Sequence, residues 1–231
     1  MKKVLKWLEN FWYHNKWITI IVVFFAVAVI IMTTQFFTRD KYDAMILYTG
    51  PKLPTANETL EIESAFEDVL SEDYDGNGKR EVTLNSLFLM TDEQLKDDKY
   101  LYDEEGNPLY INTGDMVTTK QQFTTQIFVG EAVICLLDPA WYDLVAKKDA
   151  FVPLNELVDD VPENAYDECA LYLRDTGFGQ YFTALNAFPE DTLICFRRMS
   201  STSGLKNEKK EEQRYEFNKR FFVDLIEFDI G

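Results

Sequence analysis

Residues 17–37 read WITIIVVFFAVAVIIMTTQFF, an uncharged and strongly apolar run. At about 1.5 Å of rise per residue, a helix of this length crosses a hydrocarbon core of about 30 Å. That reading organises the chain. Residues 1–16 become a short basic and aromatic tail, 17–37 a transmembrane helix, and 40–231 a domain held on one side of the bilayer. The apolar run exceeds the roughly 7–15 residues of a cleaved signal peptide, and the following TTQFFTRD has no small-x-small site. An uncleaved signal anchor is therefore expected.

Charge sets the orientation. Lys2, Lys3, Lys6 and Lys16 against Glu9 give the tail +3, while the whole chain of 231 residues carries -17, which leaves -20 beyond the helix. Lysine excess on the short side keeps the N-terminus cytoplasmic. The expectation is a single-pass protein of the cell membrane with an extracellular C-terminal domain. In the tail, Val4, Leu8, Phe11 and Trp12 recur at helical spacing, so residues 1–16 read as an interfacial helix. The lipid bilayer is then the partner of residues 1–37. So acidic a domain repels nucleic acid and attracts cations or basic partners.

Beyond the helix, apolar runs alternate with amphipathic ones. Strands are expected at Ala44–Tyr48, Val82–Leu89, Ala132–Leu137, Cys169–Leu173 and Leu193–Phe196. Thr55 with Glu58 three residues on forms a capping box for one helix, with a stripe of Ile62, Phe66, Val69 and Leu70. A second helix runs from Thr118, capped with Gln121, to Val129 and ends at Gly130. Asp138-Pro139 opens a third, an N-cap followed by an N1 proline, with Trp141, Leu144 and Val145 inward. A short helix is expected at Gln180–Leu185. The last begins near Asn207 after the loop Ser200–Lys206, and carries Phe217, Phe221, Leu225 and Phe228 on one stripe. Residues 91–117 are polar, with Tyr100–Tyr102 and Leu109–Ile111 flanking DEEGNP as a hairpin excursion crowded by Tyr100, Tyr102 and Tyr110, which pack among themselves and onto the domain or, where exposed, suit protein or sugar contacts. The alternation predicts an α/β domain with one mixed, mostly parallel sheet flanked by helices.

The run from Gln121 to Leu157, QQFTTQIFVGEAVICLLDPAWYDLVAKKDAFVPLNEL, resembles the first lobe of bacterial extracellular solute-binding proteins of the periplasmic type. Gly130, Asp138 and Val152-Pro153-Leu154 hold the places of its helix-ending glycine, strand-ending acid and hydrophobic-Pro-Leu. The FWYHNKW before the span is similar to the anchor of small membrane proteins of Gram-positive bacteria. The resemblance implies a periplasmic-binding-like lobe, and roughly 190 residues accommodate about one such lobe. No ligand-binding residues are carried over from it, because a shared fold does not imply a shared function.

Local chemistry is sparse. Asp73, Asp75 and Asn77, with the Lys79 carbonyl and Glu81, copy the opening of a calcium loop, with Gly78 in the sixth place. Leu84 stands where the closing glutamate belongs, so the candidate is a weak calcium site, set against a plain Asp-Gly and Asn-Gly turn. His14, in the tail, is the sole histidine of the sequence, which leaves the domain no Ser-His-Asp triad and no histidine-ligated zinc. Gly177-Phe178-Gly179 reads as a turn rather than a phosphate cradle. Cys135, Cys169 and Cys195 are an odd set without CxxC spacing. Two of them lie in apolar runs, and one bridge remains open. The functional expectation is a non-enzymatic binding or scaffold domain with an envelope protein as partner. Two alternatives stay open: a small-molecule receptor with its site near Thr49-Gly50 and Asp138, and an envelope hydrolase using paired carboxylates.

Overall fold

A computed structural model describes residues 2–37, 42–102, 106–109, 111, 113–199 and 208–230. The chain divides into two compact units, Met1–Lys41 and Tyr42–Gly231. The first is helix α1, Lys2–Phe37, continuous through the tail and the apolar run. Its segment Phe11–Thr33 has a mean hydropathy of 2.5 and is long and apolar enough to cross a membrane.

The second unit is built on a five-stranded sheet: β1 (Ala44–Gly50), β2 (Val82–Phe88), β3 (Ile134–Leu137), β4 (Ala170–Tyr172) and β5 (Leu193–Phe196), in the order β2-β1-β3-β5-β4. β1 pairs parallel with β2 and β3, whereas β5 pairs antiparallel with β3 and β4. Four strands thus run one way and β5 runs against them. The sheet is mixed in its pairings, more so than the strand–helix alternation implied.

Helices cover both faces. They are α2 (Ala56–Val69), the single turn α3 (Asp98–Leu101), α4 (Thr113–Val129), α5 (Pro139–Ala146), α6 (Gly177–Tyr181) and α7 (Glu208–Ile226). Strand side chains alternate between two cores. Ile46, Tyr48, Ile134, Leu136, Ile194 and Phe196 join Ile62 and Phe66 of α2 and Phe217, Phe221, Phe222 and Leu225 of α7. Leu47, Cys135, Leu137, Leu193 and Cys195 face Phe123 and Ile127 of α4 and Trp141, Tyr142 and Val145 of α5. Burial at every position of β3 and β5 explains why they read as unbroken apolar runs. At the β2 edge, Glu67 and Glu63 of α2 accept from the Val82 and Leu84 amides at 3.1 and 2.8 Å, blunting a strand that would otherwise template pairing.

Two of the three expected caps form. Thr55 Oγ1 accepts from the Glu58 amide, whose carboxylate accepts from the Thr55 amide. Asp138 accepts from the Ala140 amide at 2.9 Å ahead of Pro139. Leu144, however, points to solvent, and its inward place belongs to Tyr142. α4 starts at Thr113, so Gln121 lies mid-helix instead of capping it. The 91–117 excursion has helical pieces where strands were expected. Its antiparallel character is the bridge Tyr102–Pro108 and the Leu109-to-Leu101 hydrogen bond. Residues 103–105, Tyr110, the Ser200–Lys206 loop, Asn207 and Asp40 lie outside the described residues. The Gly177-Phe178-Gly179 stretch is the first turn of α6, not a free turn. A Cβ on Gly179 would stand 1.8 Å from the Leu173 carbonyl oxygen, so close packing demands the glycine. The expected Gln180–Leu185 helix is divided between α6 and the 3-10 turn Thr183–Ala187.

Candidate ligand cleft and acidic loop

The order β2-β1-β3 places the direction change of a doubly wound sheet between β1 and β3, where ligands of such sheets bind outside the strand carboxyl ends. Thr49, Gly50 and Asp138 stand there, and all three are buried. The Asp138 amide donates to the Thr49 carbonyl at 2.9 Å. Gln94 locks the spot. Its Nε2 donates to Asp138 Oδ2 at 2.8 Å, while Thr91 and Gln94 exchange hydrogen bonds with each other. Burial pushes the Asp138 carboxyl above its ordinary range, the Gln94 and Ala140 donors oppose the shift, and the Asp191 carboxylate adds to it. With both oxygens engaged, Asp138 serves as a helix cap.

The open space lies beside that lock. A cleft of about 1610 Å³ is walled by Pro51, Lys52 and Leu53 after β1, by Phe88 at the end of β2, and by Arg174 after β4. Phe188, Pro189, Glu190 and Asp191 precede β5, whose reversed direction brings its start to the same sheet edge. The excursion contributes Lys99, Tyr100, Tyr102, Leu109 and Ile111, and α4 contributes Asp115, Met116 and Thr119. Tyr48 supports the floor. Its ring packs on Phe188 with centroids 4.6 Å apart, and its hydroxyl donates to the Lys52 carbonyl at 2.7 Å. Burial raises the Tyr48 hydroxyl pKa, so the group stays a neutral donor. Lys99 lies 5.2 Å from the Tyr100 ring centre, a cation over an aromatic face. Tyr100 and Tyr102, expected to crowd a hairpin, line the cleft wall.

The acidic loop is a separate construction. Asp73 accepts from the amides of Gly76 at 2.7 Å, Asn77 at 3.3 Å and Gly78 at 2.6 Å. Those bonds, the Gly78 one foremost, hold its carboxyl below the ordinary range. Asp75 accepts from the Asn77 amide, and Asn77 Oδ1 from the Lys79 amide. Gly76 and Gly78 take φ of 72° and 86°, which lets the chain wrap this tightly. Glu81 turns to Asn77 Nδ2 and Lys79 Nζ. The residue missed by the spacing argument is Asp43. Fully buried just before β1, it accepts from the Tyr74, Asp75 and Glu81 amides at 2.9, 3.1 and 2.9 Å. Carboxylate oxygens of Asp43, Asp73 and Asp75 lie within 4.8 Å of one another.

All three cysteines are free. Cys135 and Cys195 are buried opposite one another on β3 and β5, and burial pushes the Cys195 and Cys169 thiols up, the latter to about 11. Cys135 and Cys195 fill the core, and Cys169 packs at its margin. Comparison with family models, curated proteins and solved structures returns no match, so the functional reading rests on the geometry of the cleft and the loop.

Proposed function

We propose that the chain is a single-pass, membrane-anchored and non-enzymatic binding protein. Its extracytoplasmic domain is built like one lobe of a solute-binding protein and takes a small solute in the cleft at the sheet's carboxyl edge. One observation carries this reading: a concave wall of aromatic and apolar side chains with a few convergent charged groups, at the edge where doubly wound sheets bind ligands. It favours a receptor over an envelope scaffold, which would work through a flat exposed patch. It also disfavours a hydrolase, because Asp138, the raised carboxyl nearest the cleft, is engaged as a cap. The lysine-rich tail supports a cytoplasmic N-terminus. One experiment tests location and binding together. Protease added to intact cells should remove the domain, and a mixture of amino acids, short peptides and simple sugars should contain a solute that slows the cleavage. A domain that survives until the cells are opened refutes the location, and cleavage unmoved by every solute refutes the receptor.

A second reading attaches to the acidic loop. Three carboxylates meeting within 4.8 Å favour a hard cation, and without a closing glutamate the affinity belongs in the range of about 10⁻⁴–10⁻³ M typical of extracellular calcium modules. Calcium at a few millimolar should then stabilise the wild type by about 1 kcal/mol through mass action. Asp75→Ala should gain less, and magnesium should not substitute for calcium. Identical melts of the two proteins at every calcium concentration would reduce the loop to an amide-capped turn.

A further inference from the structure

Arg174 lies in the 3-10 turn Leu173–Asp175 that leaves β4, half-buried in the cleft wall. Its Nη2 donates to the Phe188 carbonyl at 3.2 Å, and its Nε is buried with no hydrogen-bond partner. Among the described residues it forms no ion pair. The pairs that do form are Lys79–Glu81, Arg198–Asp149 and Arg220–Glu72, all elsewhere. A guanidinium is always charged and carries five donors. Held half out of water with one neutral carbonyl as acceptor, it has no counter-charge among the described residues, and its planar fork fits a carboxylate.

The rest of the wall narrows the ligand. Carboxylates outnumber cationic side chains about two to one beyond the first helix, yet among the described residues the wall holds three of each: Lys52, Lys99 and Arg174 against Asp115, Glu190 and Asp191. Both signs among the described wall residues of so acidic a domain suit a ligand bearing both signs. Phe88, Phe188, Tyr100 and Tyr102 provide apolar and aromatic surface between the charges. At about 1610 Å³ the cleft exceeds the roughly 300–1,000 Å³ of ordinary small-ligand pockets and has room for a ligand of several linked units.

We infer that the cleft binds a short peptide whose free C-terminal carboxylate sits on Arg174, a conclusion that rests on the solute-binding reading of the same cleft. Apolar side chains lie over the aromatic wall, and the peptide ammonium is directed to the Glu190–Asp191 side. Neither end requires a chemical step. The ligand is held by charge-assisted hydrogen bonds at its two termini and by apolar contact between them.

The test uses the full chain in detergent micelles and a mixed tripeptide library, prepared with free carboxylates and again as C-terminal amides. Free-carboxylate peptides should bind the wild type by calorimetry, and the amides about tenfold to a hundredfold more weakly, the span expected for charged hydrogen bonds. Arg174→Gln should lose that discrimination and Arg174→Lys should keep part of it, with melts of the unliganded variants establishing that they are folded. Should Arg174→Gln fail to fold, the comparison of acid with amide on the wild type decides alone. Equal binding of acids and amides would overturn the carboxylate anchor while leaving the cleft a binding site. Binding of a neutral disaccharide and of no peptide would overturn the peptide class alone. Silence of every peptide, amino acid and sugar would overturn both the inference and the reading beneath it.

Discussion

A chain ending at Gly204 is expected to show no cooperative melting transition in its domain. The deletion removes α7, whose Phe217, Phe221, Phe222 and Leu225 are buried against the sheet and α2. Phe222 packs on Phe196 of β5 with ring centroids 5.2 Å apart, and Phe221 on Phe66 of α2 at 6.4 Å. Each buried side chain of this size contributes about 1.5–3 kcal/mol. Four together amount to roughly 6–12 kcal/mol, comparable to the whole stability of an ordinary domain, about 5–15 kcal/mol. The loss is compounded because one sheet face would lie open to water. Calorimetry or near-UV circular dichroism of the truncated chain in micelles decides it. A transition retained at the wild-type temperature would mean that α7 is an appendage and not a wall of the core.

Much of the fold follows from local signals. The capping box at Thr55–Glu58 and the Asp138-Pro139 pair mark helix starts with hydrogen-bonding chemistry that needs nothing from the rest of the chain. The direction of β5 does not follow that way. Leu193–Phe196 is buried on both faces, so its side-chain pattern is the same whichever way the strand runs. Its direction is settled by the chain path through α6 and the 3-10 turn Thr183–Ala187, where helices are too short to mark a clear period. The 91–117 excursion misleads for a related reason. Gly106-Asn107-Pro108 carries a turn signal, and the polar flanks contain too little periodicity to reveal α3 or the early start of α4.

The candidate site is less legible than the fold. Its described wall is assembled from residues after β1, at the end of β2, in the excursion, on α4, after β4 and before β5, so no local spacing announces it. Thr49, Gly50 and Asp138 mark the sheet edge beside which the cleft lies. Gln94 then seals that position and moves the open space to the residues just after Gly50. Arg174 carries no sequence signal beyond being a cation in an acidic stretch, because its lack of an ion-pair partner among the described residues is a tertiary fact. For the same reason Asp43, one more aspartate beside a strand in sequence, becomes distinctive only when its burial and its three amide donors are seen.

Asp43→Ala is expected to be the most damaging single substitution in the acidic loop. The carboxylate lies at 0% exposure at the entry to β1 and accepts the amides of Tyr74, Asp75 and Glu81, tying the loop to the strand pair β1–β2. Alanine leaves those three donors facing a small apolar side chain. An unsatisfied buried donor costs about 1–3 kcal/mol, and partial entry of water into the vacated space brings the expected total to about 3–5 kcal/mol. For a domain of this size that corresponds to a fall in Tm on the order of 10 °C. Asp43→Asn should fall between wild type and alanine, since its carbonyl oxygen can accept where its amide nitrogen would oppose another N–H. Asp75→Ala, which removes an exposed side chain that accepts from the Asn77 amide, should cost under about 1 kcal/mol. Thermal melts of the three variants in calcium-free buffer separate these expectations. If Asp43→Ala melts within a degree or two of Asp75→Ala, the loop is fastened to the sheet by something other than this carboxylate.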